Sequence, residues 1–323
     1  MKKVTILAME QAMAASVMGP MDIFCQAGLT WNHIFGQPPK PRFEVNIVTL
    51  DGKATSAFNG ATITPHCAAE AVEATDLILI ASFASYEPLN HAEQVGKWLR
   101  RHRQQGAIIG SICLGTFLLA ATGLLDGMTA TTHWGFVEEF REHFPQVKLR
   151  PDRLITDEGN LLTSGACNSY IDLSLYLIER FCGPEVALEC SKTVLHDRGR
   201  TSQTPYAVHR FRKEHGDTLI LAVQQQLEES CGAAHDVEHL AKNHGMSRRS
   251  FERRFKAATG DAPLLYLQRL RVETAKYLLE TAAHSFNEIA YQLGYEDSSF
   301  FRKVFKKHTG LLPREYRQKF RRA

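Results

Sequence analysis

The chain has 323 residues, of which 44 % are apolar and 23 % are charged, and its formal net charge is +3. This composition is ordinary for a globular protein, and the length suits two domains better than one. No run of about 18 or more apolar residues occurs, which excludes a membrane-spanning helix, and the 7 cysteines include no Cys-x-x-Cys pair, so neither a metal site nor a disulfide framework is expected.

The first part of the chain alternates between strand-like and helix-like segments. Short apolar, β-branched runs predict strands at residues 3–8, 43–50, 76–81 and 107–112, and helical patterns include residues 18–28 and 91–105. Such alternation predicts a mostly parallel sheet covered by helices on both faces. The run at 3–8 is too short for a secretory signal and is soon followed by Glu10, so we interpret it as the opening strand.

Further along, residues 153–157 and 161–163 predict two short strands and residues 168–181 a long helix. Another helix is expected to begin after Pro184, which suits a first helical turn, and to end near His196. We therefore assign residues 1–196 to one domain. Residues 197–216 are polar and rich in turn-forming residues, so they predict a linker.

The second domain, residues 217–323, has a helical pattern throughout and a basic charge. Residues 236–323 hold 18 Lys and Arg against 10 Asp and Glu, a net charge of +8, whereas residues 1–235 hold 20 against 25, a net charge of −5. A basic domain joined to an acidic one suggests a polyanionic partner. A solvated basic surface would explain the charge equally well.

The second domain contains an internal repeat. Residues 251–266 match residues 301–316 at the following pairs: Phe251 and Phe301, Phe255 and Phe305, Lys256 and Lys306, Thr259-Gly260 and Thr309-Gly310, Pro263 and Pro313, and Tyr266 and Tyr316. Upstream, Leu240-Ala241 and Gly245 pair with Ile289-Ala290 and Gly294, one residue out of step. So many matches at one spacing indicate a duplicated structural unit.

Each copy, at about residues 236–256 and 286–306, has the pattern of a helix-turn-helix. A short helix (237–243 or 286–293) is followed by a glycine suited to a left-handed turn, and Ser247 or Asp297 then caps the next helix. In that second helix, two phenylalanines four apart point into the core. The opposite face carries Arg249, Glu252, Arg253 and Lys256 in the first copy and Ser299, Arg302, Lys303 and Lys306 in the second. Basic, hydrogen-bonding faces of this kind suit entry into the major groove.

Between the copies, residues 264–279 predict one long helix. A rigid helix would hold the two recognition helices on one face of the duplex, about 34 Å apart, which is one turn of DNA. One chain could then bind two successive major-groove segments. The first outer face suits base discrimination, and the second favours anchoring to the backbone.

These motifs resemble those of AraC/XylS-type transcription regulators. The resemblance rests on residues 240–256 for the first motif and on residues 289–306 for the second, followed by Thr309-Gly310-Leu311-Leu312-Pro313. It implies base-edge contacts from Arg249, Ser250, Glu252, Arg253, Ser298, Ser299 and Arg302. It implies phosphate contacts from Lys256, Lys303 and Lys306.

The first domain contains one chemically suggestive turn. An apolar strand ends on Cys113, and an apolar helix begins after Gly115, as in a nucleophile elbow. The positive end of that helix is expected to lower the pKa of the thiol and to favour an anion. The alternative is a buried cysteine that packs as a small apolar side chain.

The elbow resembles that of PfpI-like domains in the class I glutamine-amidotransferase-like superfamily, which have a flavodoxin-like α/β fold. Residues 18–24 resemble the early helix of these domains, and residues 130–134 resemble their segment after the elbow helix. With its C-terminal motifs, the whole chain resembles AraC-type regulators of the GlxA type. That resemblance implies control of the use of small nitrogen compounds, such as amino acids, betaines and carnitine.

Departures from the catalytic pattern decide what we expect of this domain. Ser16 stands where catalytic members have a carboxylate, Leu114 replaces the histidine after the cysteine, and Ala81-Ser82-Phe83 replaces a Gly-Gly turn. Without a base the thiol lacks an activator, so we expect no catalytic residues, although His133 remains a conceivable base. The expected ligand-binding residues are Cys113, Leu114, Ser16, Ser82 and His133.

The sequence therefore predicts a transcription regulator, and by family habit an activator, that responds to a small, nitrogen-containing metabolite. Its expected partners are double-stranded DNA, the small-molecule effector, RNA polymerase and a second copy of the chain, with no cofactor and a cytoplasmic location. The alternative is a cysteine-dependent hydrolase or hydratase fused to a DNA-binding domain. A third possibility is redox sensing through Cys113.

Overall fold

The computed structural model describes residues 1–321 and divides into two compact units, Met1–Gln203 and Thr204–Ala323. Each unit is described by itself. Arg322 and Ala323, at the end of the predicted DNA-binding domain, lie outside the described residues.

The first unit is built on a seven-stranded sheet in the order β10-β11-β7-β6-β1-β2-β5. Its neighbouring strands are parallel except for the antiparallel pair β10 and β11. Two small sheets pair β3 with β4 and β8 with β9. The strands are β1 (Lys2–Leu7), β2 (Phe43–Thr49), β3 (Thr55–Ser56), β4 (Thr62–Ile63), β5 (Cys67–Ala68), β6 (Leu77–Ile80), β7 (Ile108–Ile112), β8 (Thr129–Ala130), β9 (Lys148–Leu149), β10 (Ile155–Asp157) and β11 (Leu161–Ser164).

Helices accompany the sheet, which confirms the predicted flavodoxin-like α/β class. They are α1 (Ala14–Gln26), α2 (Thr30–Ile34), α3 (Ala92–Gln104), α4 (Gly115–Ala121), α5 (Val137–His143), α6 (Tyr170–Cys182) and α7 (Pro184–Thr193). Every residue of β6 and β7 is buried, as expected for central strands covered on both faces. Helix α1 begins at Ala14 rather than at residue 18, because the Ser16 N–H already bonds the Met13 carbonyl at 2.7 Å.

The second unit is all-helical, as predicted. Its helices are α8 (Thr218–Glu229), α9 (Val237–Asn243), α10 (Arg248–Thr259), α11 (Pro263–Thr281), α12 (Phe286–Gln292), α13 (Ser298–Thr309) and α14 (Pro313–Phe320). Two separate apolar cores form. One is centred on Phe251, Phe255 and Tyr266, and the other on Phe301, Phe305 and Tyr316.

The internal repeat is confirmed, down to individual hydrogen bonds. The Thr259 hydroxyl bonds the Phe255 carbonyl at 2.8 Å, and the Thr309 hydroxyl bonds the Phe305 carbonyl at 2.8 Å. The Tyr266 hydroxyl donates to Glu228 at 3.1 Å, and the Tyr316 hydroxyl donates to Glu280 at 2.7 Å. Helix α8 in the first copy therefore corresponds to the end of α11 in the second, so each copy is larger than the helix-turn-helix itself.

The segment predicted as a linker, residues 197–216, is not a separate element. Gln203 is 2 % exposed, and its amide donates to the Thr132 carbonyl at 2.8 Å, so the start of the segment packs on the first unit. Further on, the Ala207 carbonyl accepts from Lys276 at 2.6 Å and Phe211 packs on the Tyr266 ring. The structure differs from the prediction because a polar composition does not reveal these buried tertiary hydrogen bonds.

Candidate DNA-binding surface and ligand site

The turns of both helix-turn-helix units have the predicted geometry. Gly245 and Gly294 have φ of 66° and 76°, a conformation that costs glycine little. The residue after each glycine then donates its N–H back into the preceding helix, Met246 to the Ala241 carbonyl at 2.9 Å in the first copy. The predicted caps form as well, since Ser247 accepts from the Ser250 N–H at 3.3 Å and Asp297 from the Ser299 N–H at 2.7 Å.

Helix α10 presents most of the predicted first-copy residues to solvent. Arg249, Arg253 and Lys256 are exposed, opposite the two buried phenylalanines. Glu252 is half-buried and accepts a hydrogen bond from the Arg248 guanidinium at 2.9 Å. The Ser250 hydroxyl accepts from the Ser247 hydroxyl. Contacts of Glu252 with bases would therefore compete with an existing ion pair.

Helix α13 presents an equally basic face. Ser299, Arg302, Lys303 and Lys306 are exposed, and Ser298 is half-buried. The Arg302 guanidinium lies 5.7 Å from the centre of the Phe286 ring, which restrains its position. The two faces carry the charge that a phosphate backbone requires. The base or phosphate role of each residue stays a prediction.

Sequence reasoning missed one apolar side chain on this face. Phe300 is 53 % exposed at the start of α13. Its position directly before the core residue Phe301 was the available signal, because adjacent helical residues point about 100° apart. An exposed ring on a recognition helix can contact a thymine methyl group.

The elbow at Cys113 is formed as predicted. Cys113 has φ of 56° between β7 and α4, a strained value for a residue other than glycine. A Cβ atom on Gly115 would lie 2.6 Å from the Ile80 carbonyl oxygen, so a glycine is required for the tight turn. The Thr132 hydroxyl fixes the elbow further by donating to the Cys113 carbonyl at 2.9 Å.

The predicted activation of the thiol is wrong. Cys113 is 3 % exposed, and burial raises the pKa of its thiol to about 12, against the lowering effect of a hydrogen bond with Ser82. Burial outweighs the positive end of α4, because removing a thiolate from water costs more than a short helix returns. The thiol is neutral near pH 7.

Two of the predicted ligand residues, Ser16 and Ser82, bond to each other, and Ser82 also bonds the Cys113 thiol. Ser16 is fully buried, accepts from the Ser82 N–H at 2.9 Å and donates to the Met13 carbonyl at 2.7 Å. Its hydroxyl is therefore committed to the backbone, in the place where a catalytic carboxylate would stand. Leu114, which is 8 % exposed, contributes only an apolar wall.

His133 takes part in a local hydrogen bond instead. Its Nδ1 accepts from the Gly135 N–H at 3.0 Å and caps a short 3-10 helix at Trp134–Phe136. Burial lowers the pKa of His133, which keeps the ring neutral near pH 7. A neutral imidazole whose Nδ1 already accepts a hydrogen bond is a poor general base.

An open cavity of about 550 Å³ lies at the carboxyl edge of the sheet. We call it the edge cavity. It is lined by the segments at the ends of β1, β2 and β6, through the following residues: Ala8, Met9, Glu10, Thr49, Leu50, Asp51, Lys53, Ala54, Thr55, Glu87, Pro88, Asn90, His91 and Gln94. The five predicted ligand residues are not among these. Chain connections diverge here, since β2 lies on one side of β1 and β6 on the other, and open α/β sheets bind ligands at such points.

The carboxylates in the lining of the edge cavity outnumber its lysines. Glu10, Asp51 and Glu87 line it together with Lys53, whose Nζ lies 3.8 Å from the Asp51 carboxylate. Glu10 accepts from the Thr55 hydroxyl at 2.6 Å, which fixes one carboxylate in place. Sequence reasoning missed these residues because they come from loops far apart in the chain.

Within the described residues no cluster of metal-binding side chains forms. Among those residues, too, no helix is long and apolar enough to cross a membrane.

Comparisons with known proteins agree with both units. A model of the DJ-1/PfpI family matches residues 2–180, and a model of a helix-turn-helix domain matches residues 240–319. The HTH-type transcriptional regulator GbdR of Pseudomonas aeruginosa is 29 % identical over 276 residues, which cover 84 % of this chain and 74 % of that protein. The HTH-type transcriptional regulator GlxA of Rhizobium meliloti is 27 % identical over 285 residues, which cover 87 % of this chain and 86 % of that protein.

Among solved structures, Drosophila melanogaster DJ-1beta is similar to this chain with a TM-score of 0.52 and 20 % identity. The match covers 61 % of this chain and 98 % of that chain, and it shows the fold alone. The resemblances to PfpI-like domains and to AraC-type regulators that the sequence motifs predicted are confirmed.

Proposed function

The chain belongs to the DJ-1/PfpI family and ends in an AraC-type helix-turn-helix domain, and on this basis we propose that it is a sequence-specific transcription regulator that responds to a small metabolite. The observation that carries the proposal is the duplicated helix-turn-helix, whose helices α10 and α13 each combine a buried phenylalanine pair with an exposed basic face. The relatives GbdR and GlxA are named HTH-type transcriptional regulators, which supports the same function.

The first unit is the sensor in this proposal, and the edge cavity is its effector site. Three carboxylates and one lysine give this lining an excess of negative charge, which suits a ligand that carries a positively charged nitrogen, in keeping with the expected class of small nitrogen compounds. The volume of about 550 Å³ falls in the range of ordinary small-molecule sites. Activation rather than repression, dimer formation, contact with RNA polymerase and a cytoplasmic location stay predictions.

A matched pair of variants tests the edge cavity. Asp51→Asn removes a lining carboxylate whose side chain is 61 % exposed, so it leaves the fold intact. We expect it to weaken the response to a positively charged effector about tenfold or more, because one charge contact is lost. The measurement is DNA binding by the full chain, titrated with amino acids, betaines and carnitine until one responds.

Glu93→Gln serves as the control, because Glu93 is an exposed carboxylate on α3 that does not line the cavity. Its response curve should overlay that of the wild type. An unchanged midpoint in Asp51→Asn, with a responding effector in hand, would place the effector elsewhere.

In this proposal the first unit has no enzymatic activity. The thiol is neutral and buried, Ser16 is bonded to the backbone, and His133 accepts from a backbone N–H, so the thiol lacks the base and the charge partner that nucleophilic catalysis needs. In that case the strained turn at Cys113 has a structural role and not a catalytic one.

Replacing the Cys113 thiol distinguishes a regulator without enzymatic activity from an enzyme. The Cys113→Ser variant is expected to keep DNA binding and the response to effector within about twofold, because serine preserves the elbow and its polar contact with Ser82. DNA binding and effector response of the full chain are measured side by side with the wild type. Loss of the effector response together with a measurable hydrolase or hydratase turnover in the wild type would instead support the enzyme.

A further inference from the structure

A second cavity of the first unit, with a volume of about 290 Å³, lies between helix α6, strand β10 and the segment after α7. We call it the arginine cavity. Its charged lining consists of three arginines, a histidine and two carboxylates: Arg153, Arg198, Arg200, His196, Asp172 and Glu179. None of these residues belongs to the elbow or to the edge cavity, so the function proposed above does not use them.

A buried carboxylate organises this cavity. The side chain of Asp172 is 6 % exposed, and its two oxygens accept from His196 Nε2 at 3.0 Å and from Arg200 Nη2 at 2.6 Å. Burial of a carboxylate is costly unless such partners compensate it. Asp172 therefore holds the segment after α7 against α6, and that segment leads along the chain into the second unit.

The cavity retains positive charge after its internal ion pairs are formed. Arg200 is paired with Asp172, and Arg198 with Glu179. Within residues 1–321, the ion-pair partner of the Arg153 side chain is a distant one, because its Nε lies 3.7 Å from an Asp152 carboxylate. Both oxygens of that carboxylate already accept from Arg150, at 3.0 and 2.9 Å. The guanidinium of Arg153 is therefore available to bind an anion.

Arg200 also lines the cavity, and its side chain is 31 % exposed. One of its terminal nitrogens donates to the Asp172 carboxylate, which holds the guanidinium in the cavity wall. Guanidinium groups bind carboxylate and phosphate oxygens well, and they can do so through more than one nitrogen.

We propose that the arginine cavity is a binding site for a small oxyanion, a carboxylate or phosphate group, held by Arg153 and Arg200. A cavity of this volume holds on the order of ten water-sized groups, so the ligand is a small metabolite or a free ion. The site lies on the segment that joins the two units in sequence. Its occupancy stabilises the anchoring of that segment on the first unit, because ligand binding stabilises the folded state that it selects.

Titration of the full chain with succinate and, separately, with inorganic phosphate tests the proposal. Calorimetry at constant ionic strength in a chloride buffer gives the Kd, and thermal unfolding followed by tryptophan fluorescence reports stabilisation. We expect saturable binding of at least one probe with a rise in Tm. Saturation by succinate alone identifies a carboxylate site, and saturation by phosphate alone identifies a phosphate site.

Three variants assign the binding. Arg200→Gln and Arg153→Gln are each expected to raise the Kd about tenfold or more, because each loses a charge-assisted hydrogen bond. Arg153 is exposed and pairs with Asp152, whereas Asp172 is held by His196 and Arg200, so Arg153→Gln reports on binding even if Arg200→Gln unfolds. Arg180→Gln is the control. Arg180 lies on α6, as Asp172 does, but it pairs with Asp157 outside the cavity, so this variant should leave the Kd unchanged.

Absence of saturable binding for both probes would overturn the proposal. So would a Kd of Arg153→Gln within about twofold of the wild type, or equal weakening in Arg180→Gln, which would indicate general charge attraction. None of these measurements involves DNA or the edge cavity. The proposal for the arginine cavity is therefore tested independently of the proposed function.

Discussion

Replacing Arg253 by alanine is expected to weaken binding to a specific operator by about one to two orders of magnitude while changing binding to random DNA far less. The reason is geometric, because Arg253 lies on the exposed face of α10 opposite the buried Phe251 and Phe255. A bidentate arginine contact with a guanine contributes about 1–3 kcal/mol of discrimination. The measurement is the ratio of affinities for a selected duplex and for random duplex at one fixed salt concentration.

Two neighbouring residues of the same helix serve as controls. Arg254→Ala should leave this ratio unchanged, because Arg254 binds the Asp217 carboxylate at 2.7 and 2.9 Å. Lys256→Ala should weaken both affinities equally and reduce the slope of the salt dependence by about 1, as expected for a phosphate contact. Equal loss on specific and random DNA in Arg253→Ala would contradict its role as a base-contacting residue.

Replacing Phe255 by alanine is expected to destabilise the first helix-turn-helix by about 3–5 kcal/mol. Phe255 is fully buried, and its ring lies edge-on against Tyr266 at 5.3 Å. The equivalent change Phe305→Ala should cost a similar amount, because Phe305 meets Tyr316 at 5.4 Å in the second copy. Each substitution should lower the stability of the apolar core that contains it, because Phe255 and Phe305 belong to separate cores.

The chain offers a convenient way to localise this destabilisation. Its three tryptophans, Trp31, Trp98 and Trp134, all lie in the first unit. Thermal unfolding followed by helical circular dichroism should therefore shift in Phe255→Ala, while the transition followed by tryptophan fluorescence should stay in place. Leu264→Ala, at a position 57 % exposed, is the control and should change stability by less than about 0.5 kcal/mol. A shift of the tryptophan transition in Phe255→Ala would contradict the expectation that the loss of stability stays within the second unit.

The features that the sequence predicted well are local ones. Gly245, Gly294 and the caps Ser247 and Asp297 act within a few residues of their own helices, so their spacing alone defined both turns. The elbow at Cys113 was predictable for the same reason, because a strand, a tight turn and a helix follow one another directly. The alternation of apolar runs was enough to predict a mostly parallel sheet.

The features that the sequence did not reveal depend on tertiary contacts. The pKa of Cys113 rises because the surrounding fold buries the thiol, which local sequence does not show. The edge cavity combines loops after three strands, and the buried amide of Gln203 turns part of an apparent linker into a piece of the first unit. Such properties are set by residues that are distant in sequence and adjacent in space.

The central claim is that the duplicated helix-turn-helix binds DNA with sequence specificity, and selection from a pool of random duplexes with the full chain tests it most directly. The duplication, with a continuous α11 between the copies, predicts an enriched motif with two elements whose centres are about 10 base pairs apart, one for each recognition helix. Arg253→Ala should lose the preference in one element while retaining the other. A pool that binds the chain without enriching any sequence would contradict the claim.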